Sequence, residues 1–465
     1  MNKKYKLSKY NFYCEDQKEN LLLCNFAIGP KSLSCIEKKY VNTFKSLILD
    51  NKIIEYNNTN KSIVKQLKDI GFLVEVNENE NSHYDALFYQ KVYNTTMMLT
   101  IMPTHKCNFN CKYCYEDDIF ASKDDMTHDA QVRLLRYIQK NIVNYPKLKI
   151  SWFGGEPLIA LNSIEYLSNK ITKICEARKI AYESEITTNA YCLTPSVFDM
   201  LYKYKIYSYQ ITLDGTKEQH DSQRIRADGS GTFDTILDNL LYIKNHPKYK
   251  LAYICIRVNV TKEILEHIKD FLDFYKQNFV SDNRFSLRLV AAKNYNKKNI
   301  DSVDKNVSSE VEYIDKNKLM EEIYASEYIN DIYKFDDIIR MFIPTSGLCY
   351  AAKKNSFVID SELSVYKCTV HFNMEENKIG YINQNGDMII DSQLHKKWYV
   401  RSDLPETCFN CFYLPCCNKG DCPVFYNNIN QGEFNSYCHV SNLKNQIKKN
   451  ILLLNNMMQF KKIIF

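Results

Sequence analysis

The chain has 465 residues, with 61 Lys and Arg against 55 Asp and Glu, a net charge of +6. That length suits two or three domains of roughly 100–200 residues each, and the charge, spread without long basic blocks, is too mild to argue for a nucleic-acid partner. No stretch approaches the ~20 apolar residues of a membrane helix, and the opening MNKKYKLSKYNFYCED lacks an apolar h-region, so a cytoplasmic protein with neither membrane nor nucleic-acid partner is expected.

Residues 1–90 mix short strand-like runs such as NLLLCNFAI (20–28) with helical ones and read as a small α+β module. In SIVKQLKDIGFLVEV (62–76), Ile63, Leu67 and Ile70 share a helical face, and Gly71 ends the helix before a short strand. The polar run NENENSHYD (77–85) reads as a linker.

Residues 91–300 change to a regular alternation. Strands are predicted at MMLTIM (97–102), LKISWF (148–153), ESEITTNA (183–190), YSYQITLDG (207–215), LAYICIRVNV (251–260) and FSLRLVAA (285–292). Helices are predicted near 127–143, 162–178, 196–204, 232–245 and 262–276. Right-handed parallel βα units follow, in a sheet that either closes partly into a barrel or opens as a doubly wound layer. In both, the strand C-terminal ends form the active face. Cys107, Cys111 and Cys114 follow the first strand, Gly154-Gly155-Glu156-Pro157 the second, and Thr188-Asn189 end the third. Asp214-Gly215 end the fourth and Asn259 the fifth. In a chain with only 12 glycines, an adjacent pair after an apolar strand suggests close backbone approach to a ligand, with a plain strand-to-helix turn as the alternative.

A charged helical connection is expected over 301–345, then a cysteine-rich, loop-rich region over 346–445, and a tail helix over 446–465 that packs on its own body. Seventeen cysteines with no export signal argue against a disulfide framework. Cys14, Cys24, Cys35, Cys175, Cys192 and Cys255 are scattered in apolar surroundings and read as small hydrophobes. The clusters at 107–114 and 349–438 read as metal sites. With His105, the triad could form a Cys3His zinc site. Alternatively its C-x3-C-x2-C spacing could hold three corners of a [4Fe–4S] cube and leave one iron open.

C-x3-C-x2-C after the first strand of a βα series, with Tyr113 before the last cysteine, resembles the radical S-adenosylmethionine superfamily. GGEP (154–157), ITTNA (186–190), QITLDG (210–215), HDSQR (220–224), GTFDTILDN (231–239) and RVNV (257–260) resemble its peptide-modifying branch. The resemblance implies a partial (β/α)6 barrel behind a small winged-helix-like module. It also implies a [4Fe–4S] cluster on Cys107, Cys111 and Cys114 whose open iron chelates S-adenosylmethionine, yielding a 5′-deoxyadenosyl radical that takes a hydrogen atom from substrate. On the same basis Tyr113, Gly154, Gly155, Glu156, Thr188, Asn189, Arg224 and Asn259 would contact the cofactor. Glu156 would meet its ammonium and Arg224 its carboxylate. Asp214 would be a candidate proton acceptor. His105 drops out as a ligand.

Cys408-x2-Cys411-x5-Cys417-x4-Cys422, with Cys349 and Cys368 upstream and Cys438 downstream, resembles the SPASM domain, implying two auxiliary [4Fe–4S] clusters. Cys408, Cys411, Cys417 and Cys438 would hold the distal cluster. Cys349, Cys368 and Cys422 would hold a proximal one with an open iron. The four-residue spacing before Cys422 departs from the usual three, Leu363 stands where a glycine is usual, and Cys416 beside Cys417 leaves the register open.

Three functions follow. The first is maturation of a ribosomally made precursor peptide, captured by the N-terminal module as an added strand. It would form a thioether, with a flavodoxin or ferredoxin as electron donor. The second is sulfatase maturation to formylglycine, in enzymes that typically begin close to the triad. The third is a non-catalytic, metal-stabilised binding protein.

Overall fold

Short apolar runs in the first 94 residues form strands β1 (Lys4–Leu7), β2 (Asn11–Glu15), β3 (Leu21–Asn25), β4 (Ser34–Ile36), β5 (Ile54–Glu55) and β6 (Leu73–Glu75). Helices α1 (Lys38–Phe44), α2 (Lys61–Asp69) and α3 (Glu80–Val92) accompany them. The computed structural model describes residues 3–114, 116, 124–292, 335–400, 404–417, 422–424 and 440–464. It divides into two compact units: Met1–Asn94 with Tyr333–Lys354 and Lys397–Phe465, and Thr95–Ile332 with Asn355–Lys396.

In the first unit β1 lies between β5 and β6 in an antiparallel sheet, and a second sheet runs from a late two-residue strand, Lys461–Lys462, through β4 and β3 to β2. Strand β3 is buried on both faces. Leu21 and Leu23 pack with Phe44, Ile63 and Leu67, while Leu22 and Cys24 face Phe26, Phe342, Ile447, Ile451 and Leu454. The last three belong to the helix Val440–Met458, which packs into this unit, whereas the tail helix is expected from the sequence over 446–465. Cys14, Cys24 and Cys35 sit in this same core, and burial pushes the Cys24 thiol up to about 12, the behaviour of a packing group rather than a nucleophile.

The polar run 77–85 is not a linker. Asn79 caps α3 by accepting from the backbone of Asn81 and Ser82, and Tyr84, Phe88 and Val92 bury a stripe at helical spacing. The stripe begins only at Tyr84, near the end of the polar run, so the composition of 77–85 did not carry it.

In the second unit, strands β7 (Thr96–Ile101), β9 (Lys147–Trp152), β10 (Ala181–Thr188), β11 (Ile206–Thr212), β13 (Tyr253–Val260) and β14 (Phe285–Ala291) alternate with α4 (His128–Asn141), α5 (Leu161–Ala177), α6 (Pro195–Lys203), α7 (Lys217–Gln223), α8 (Phe233–Asn245), α9 (Lys262–Glu266) and α10 (Ile268–Asn278). The six strands are parallel and neighbour one another in chain order, with no switch point. A sheet wound in one direction places its helices on one face, which selects the partial barrel over the doubly wound layer. Two short strands outside this ladder, β8 (Phe109–Cys111) and β12 (Arg224–Arg226), pair with each other.

The region read as loop-rich after residue 346 divides between the units. Strand β15 (Ser356–Ile359) adds in parallel to β7, pairing Ser356 with Met98, and β16 (Ser364–Tyr366), β17 (Lys378–Ile382) and β18 (Met388–Ile390) extend the barrel sheet as an antiparallel meander. Of the expected helical connection, only 335–345 is described, with a helix at Phe335–Arg340. Leu363, the departure from glycine, adopts φ +67° in the β15–β16 turn, the left-handed backbone a glycine would take freely. Its side chain is fully buried, which offsets a backbone cost of about 1–2 kcal/mol. Replacing it with glycine removes the strain but also the buried leucine, worth about 2–5 kcal/mol. Leu363→Gly is therefore expected to destabilise the chain by roughly 1–3 kcal/mol, read as a lowered urea midpoint.

Candidate cofactor site at the strand ends

The cysteine loop has little regular structure, and its neighbours fix its backbone. Strand β8 pairs antiparallel with β12, setting Cys111 opposite Arg224 and Phe109 opposite Arg226. Lys112 N–H donates to Gln223 O at 3.0 Å, and Ala227 N–H to Asn108 O at 3.2 Å. On the other side, the segment after β9 meets the loop backbone to backbone. Glu156 N–H donates to Lys106 O at 2.8 Å. A Cβ at Gly154 (φ +121°) would stand 2.3 Å from Thr104 O, and one at Gly155 would stand 2.4 Å from Lys106 O. The glycine pair is thus required by the approach of the cysteine loop itself, where the sequence pattern pointed to a ligand.

Glu156 is fully buried, and its carboxylate accepts from Thr188 Oγ1 at 2.6 Å, Asn189 N at 2.6 Å and Leu158 N at 3.0 Å. Burial raises its pKa against those hydrogen bonds. Its carboxylate ties the end of β9 to the end of β10, rather than standing open to an ammonium group. Asn189 continues the tie, donating from Nδ2 to Asn108 Oδ1 at 2.8 Å in the cysteine loop. Asn108 carried no motif signal, and only the fold brings it there.

A second knot lies under the loop. Tyr113 O–H donates to Asp214 Oδ2 and accepts from Arg224 Nη1 at 2.7 Å and Asn259 Nδ2 at 3.2 Å. Asp214 is fully buried, accepts the Asn259 N–H at 2.6 Å, and stands 3.9 Å from Arg224 Nη1. Burial pushes the Asp214 carboxyl up and the Tyr113 hydroxyl well up. For Arg224, burial works against the charge, but Cys111, Tyr113 and Asp214 outweigh it and hold the guanidinium protonated. Asp214, the candidate proton acceptor, is thus buried with each carboxylate oxygen accepting from a protein donor.

His220 completes the knot. Its Nδ1 accepts the Asp214 N–H at 3.1 Å, and its Nε2 lies 3.0 Å from Thr232 Oγ1, which itself donates to Arg224 O at 2.7 Å. Those partners assign a neutral imidazole protonated on Nε2, and burial lowers its pKa well below the usual value, consistent with that form.

Three observations test whether this site suits a cluster and an amino-acid-like ligand. The three thiols on one loop are half-buried; burial raises the Cys107 pKa, and the Phe109 N–H that Cys107 Sγ accepts at 3.4 Å offsets part of that rise. Arg224 Nε is buried with no hydrogen-bond partner among the described residues, so one donor of a buried cation remains for an anionic ligand. Finally, no three His, Cys, Asp or Glu among the described residues are drawn together around a single ion. Three cysteine thiols are the donor type that holds iron corners of a [4Fe–4S] cube.

Cys368 shows the same preparation: Val370 N–H reaches its Sγ at 3.4 Å, and the buried Asn377 pins its loop by accepting the Cys368 N–H at 2.8 Å. It belongs to the barrel unit, whereas Cys349, Cys408, Cys411, Cys417 and Cys422 belong to the other. Cys408, Cys411 and Cys422 all pack against one small core of Tyr10, Tyr84, Leu404 and Leu414. Cys416 is buried with its thiol on Phe26 O at 3.6 Å, while Cys417 is half-buried. Cys438 lies outside the described residues.

Residues 101–275 match the Radical SAM superfamily. Over its length the chain is similar to the cysteine-type anaerobic sulfatase-maturating enzyme of Clostridium novyi (strain NT), 27% identical over 372 residues, covering 76% of this chain and 95% of that protein. It is also similar to the radical SAM cyclopropyl synthase TigE of Paramaledivibacter caminithermalis, 24% identical over 377 residues, covering 77% of this chain and 75% of that one. The fold matches the solved structure of native anSMEcpe with bound AdoMet and Cp18Cys peptide, with a TM-score of 0.55 and 18% identity, covering 76% of this chain and 99% of that one. No helix among the described residues is long and apolar enough to cross a membrane.

Two substitutions test the site. Gly155→Ala forces the cysteine loop away at a cost of about 1–3 kcal/mol and is expected to lower iron bound on anaerobic reconstitution while far-UV circular dichroism is unchanged. Tyr113→Phe leaves Asp214 and Arg224 each short of a buried partner, costing about 1–3 kcal/mol, and is expected to weaken S-adenosylmethionine binding in calorimetry while the iron stoichiometry holds.

Proposed function

Because this chain carries a Radical SAM domain and that superfamily binds a [4Fe–4S] cluster and S-adenosylmethionine, we propose that it matures a ribosomally made precursor peptide, joining a cysteine sulfur to a carbon as a thioether. When bound, the cluster and S-adenosylmethionine supply a 5′-deoxyadenosyl radical that takes a hydrogen atom from the peptide. Cys107, Cys111 and Cys114 would hold the cluster. Arg224 would take the cofactor's carboxylate through the donor its neighbours leave over. Tyr113, Asp214, Asn259 and His220 would hold that guanidinium in place, and Glu156 with Thr188 and Asn189 would fix the loop edge beside it. Cys349, Cys368, Cys408, Cys411, Cys417, Cys422 and Cys438 are proposed as ligands of auxiliary clusters, and a flavodoxin or ferredoxin as the electron donor.

The observation that carries the peptide reading is the folded module of residues 3–94. The Clostridium novyi relative is covered almost end to end, yet about a quarter of this chain has no counterpart in it. Whichever residues that quarter comprises, an α+β module with sheet edges suits capture of an extended peptide. The similarity to that same relative favours a second reading, oxidation of a sulfatase cysteine to formylglycine.

Incubating the reconstituted enzyme with reductant, S-adenosylmethionine and a cysteine-bearing precursor peptide encoded beside its gene separates the two. A loss of two hydrogens with a thiol no longer alkylated supports the thioether. An aldehyde formed on a sulfatase peptide, with the precursor untouched, selects formylglycine. Cys111→Ala is expected to abolish release of 5′-deoxyadenosine; release at the wild-type rate would remove the triad from the chemistry.

A further inference from the structure

The outer edge of β4 is not left to solvent. The segment after the helix Val440–Met458 turns back through Gln459, which adopts φ +51°, and lays Lys461 and Lys462 parallel to Ser34 and Cys35. Ile463 N–H then donates to Cys35 O at 2.9 Å. From the other side of this groove, Gln66 on α2 treats the segment as a strand would: its Nε2 donates to Ile464 O at 2.7 Å, and its Oε1 accepts from Ile464 N–H at 3.0 Å. Ile463 is buried among Leu23, Ile36, Phe44, Ile63 and Leu67, the core of the N-terminal module, and Lys462 Nζ sits 2.7 Å from Glu37 Oε1.

The seat is more complete than its occupant. It offers a sheet edge, a side-chain amide matched to one peptide unit, an apolar pocket and a carboxylate. The strand filling it is two residues long, both lysines are exposed, and Ile464 is 68% exposed. A strand built only to finish a sheet would be longer and buried on a face. This one is held by two buried side chains, Phe460 at its start and Ile463 near its end, a few hydrogen bonds and a surface ion pair, the weakest kind of electrostatic contact.

We propose that the β4–α2 groove is a strand-accepting peptide site, that residues 460–464 occupy it in the resting chain, and that the peptide taken up by the N-terminal module must displace them. The partner is an extended segment with a large aliphatic residue at the Ile463 position, preceded by a lysine or arginine for Glu37. This inference rests on the peptide-maturase reading for the source of the partner, but not for the existence of the site. A tethered occupant acts as a competitor at high effective concentration, so it lowers apparent affinity by the fraction of time the groove is empty.

The test uses a synthetic peptide, QFKKIIF, corresponding to residues 459–465, and needs no turnover. In the intact chain, deuterium uptake at residues 460–464 is expected to be slow and to rise when QFKKIIF is added in excess. A chain ending at Gln459 is expected to bind fluorescent QFKKIIF at least about tenfold more tightly than the intact chain. Gln66→Ala in the intact chain, which loosens the cis segment without shortening it, is expected to speed exchange there. Unchanged uptake at 460–464 with excess peptide overturns the proposal, and so does failure of the folded shortened chain to take the probe. If the shortened chain does not fold, the exchange measurement on the intact protein decides alone. Where the probe binds but no precursor peptide is modified, the groove stands and the maturase reading fails. Where precursor is modified at equal rates with and without residues 460–465 and the probe does not bind, the reverse holds.

Discussion

Three thiols on a short irregular loop can hold a cluster only if the loop itself is held, and most of the barrel rim serves that constraint. The carbonyls of Thr104, His105 and Lys106 point at the glycine pair after β9, so close that a methyl group there would overlap them. The opposite flank of the loop is zipped to β12 by backbone pairing. Both clamps act on the backbone of the loop, that of Cys111 included, rather than on its sulfurs. Glu156, whose position invites a ligand role, instead spends its carboxylate on two strand ends. A buried carboxylate with three donors is costly to assemble and rigid once assembled.

Beneath the loop, Asp214, Tyr113, Arg224 and Asn259 form a charged network centred on the Tyr113 hydroxyl and the Asp214 carboxylate. Such a network adds little net stability over apolar packing of the same shape, but removing one member strands the others, at a cost of about 3–5 kcal/mol for a buried ion pair. What it provides is orientation. Arg224 is immobilised by Tyr113, Cys111 sits opposite it in register, and the remaining guanidinium donor is left unmatched. A site for an anionic group is thereby built before any ligand arrives, which reduces the ordering cost of binding.

The other unit shows a different economy. Strand β3 is apolar on successive residues because it faces two cores at once, one made with α1 and α2 and the other with the helix Val440–Met458. Cys24 in this strand is part of that packing, with Cys14 and Cys35, whereas Cys408, Cys411, Cys417 and Cys422 are half-buried at the edges of their cores. The half-buried Cys417 differs in the same way from the buried Cys416 beside it.

The sequence by itself determined the βα alternation and the positions of six strands to within three residues, because these rest on local periodicity. It also marked Leu363 as a departure, and the positive φ there shows why glycine would be usual. What only the tertiary structure decided are the properties that need contacts between distant segments. Strand order chose the barrel over the open sheet. The close approach of the cysteine loop to Gly154 and Gly155 is one such contact. The enclosure of Asp214 by Tyr113 and Asn259 is another. Asn108 and His220 entered the site through partners 81 and six residues away. The return of residues 461–464 to the edge of β4 has no local signature at all, since a short strand joining Lys462 to Cys35 is set by where the chain folds back and not by what the segment prefers alone.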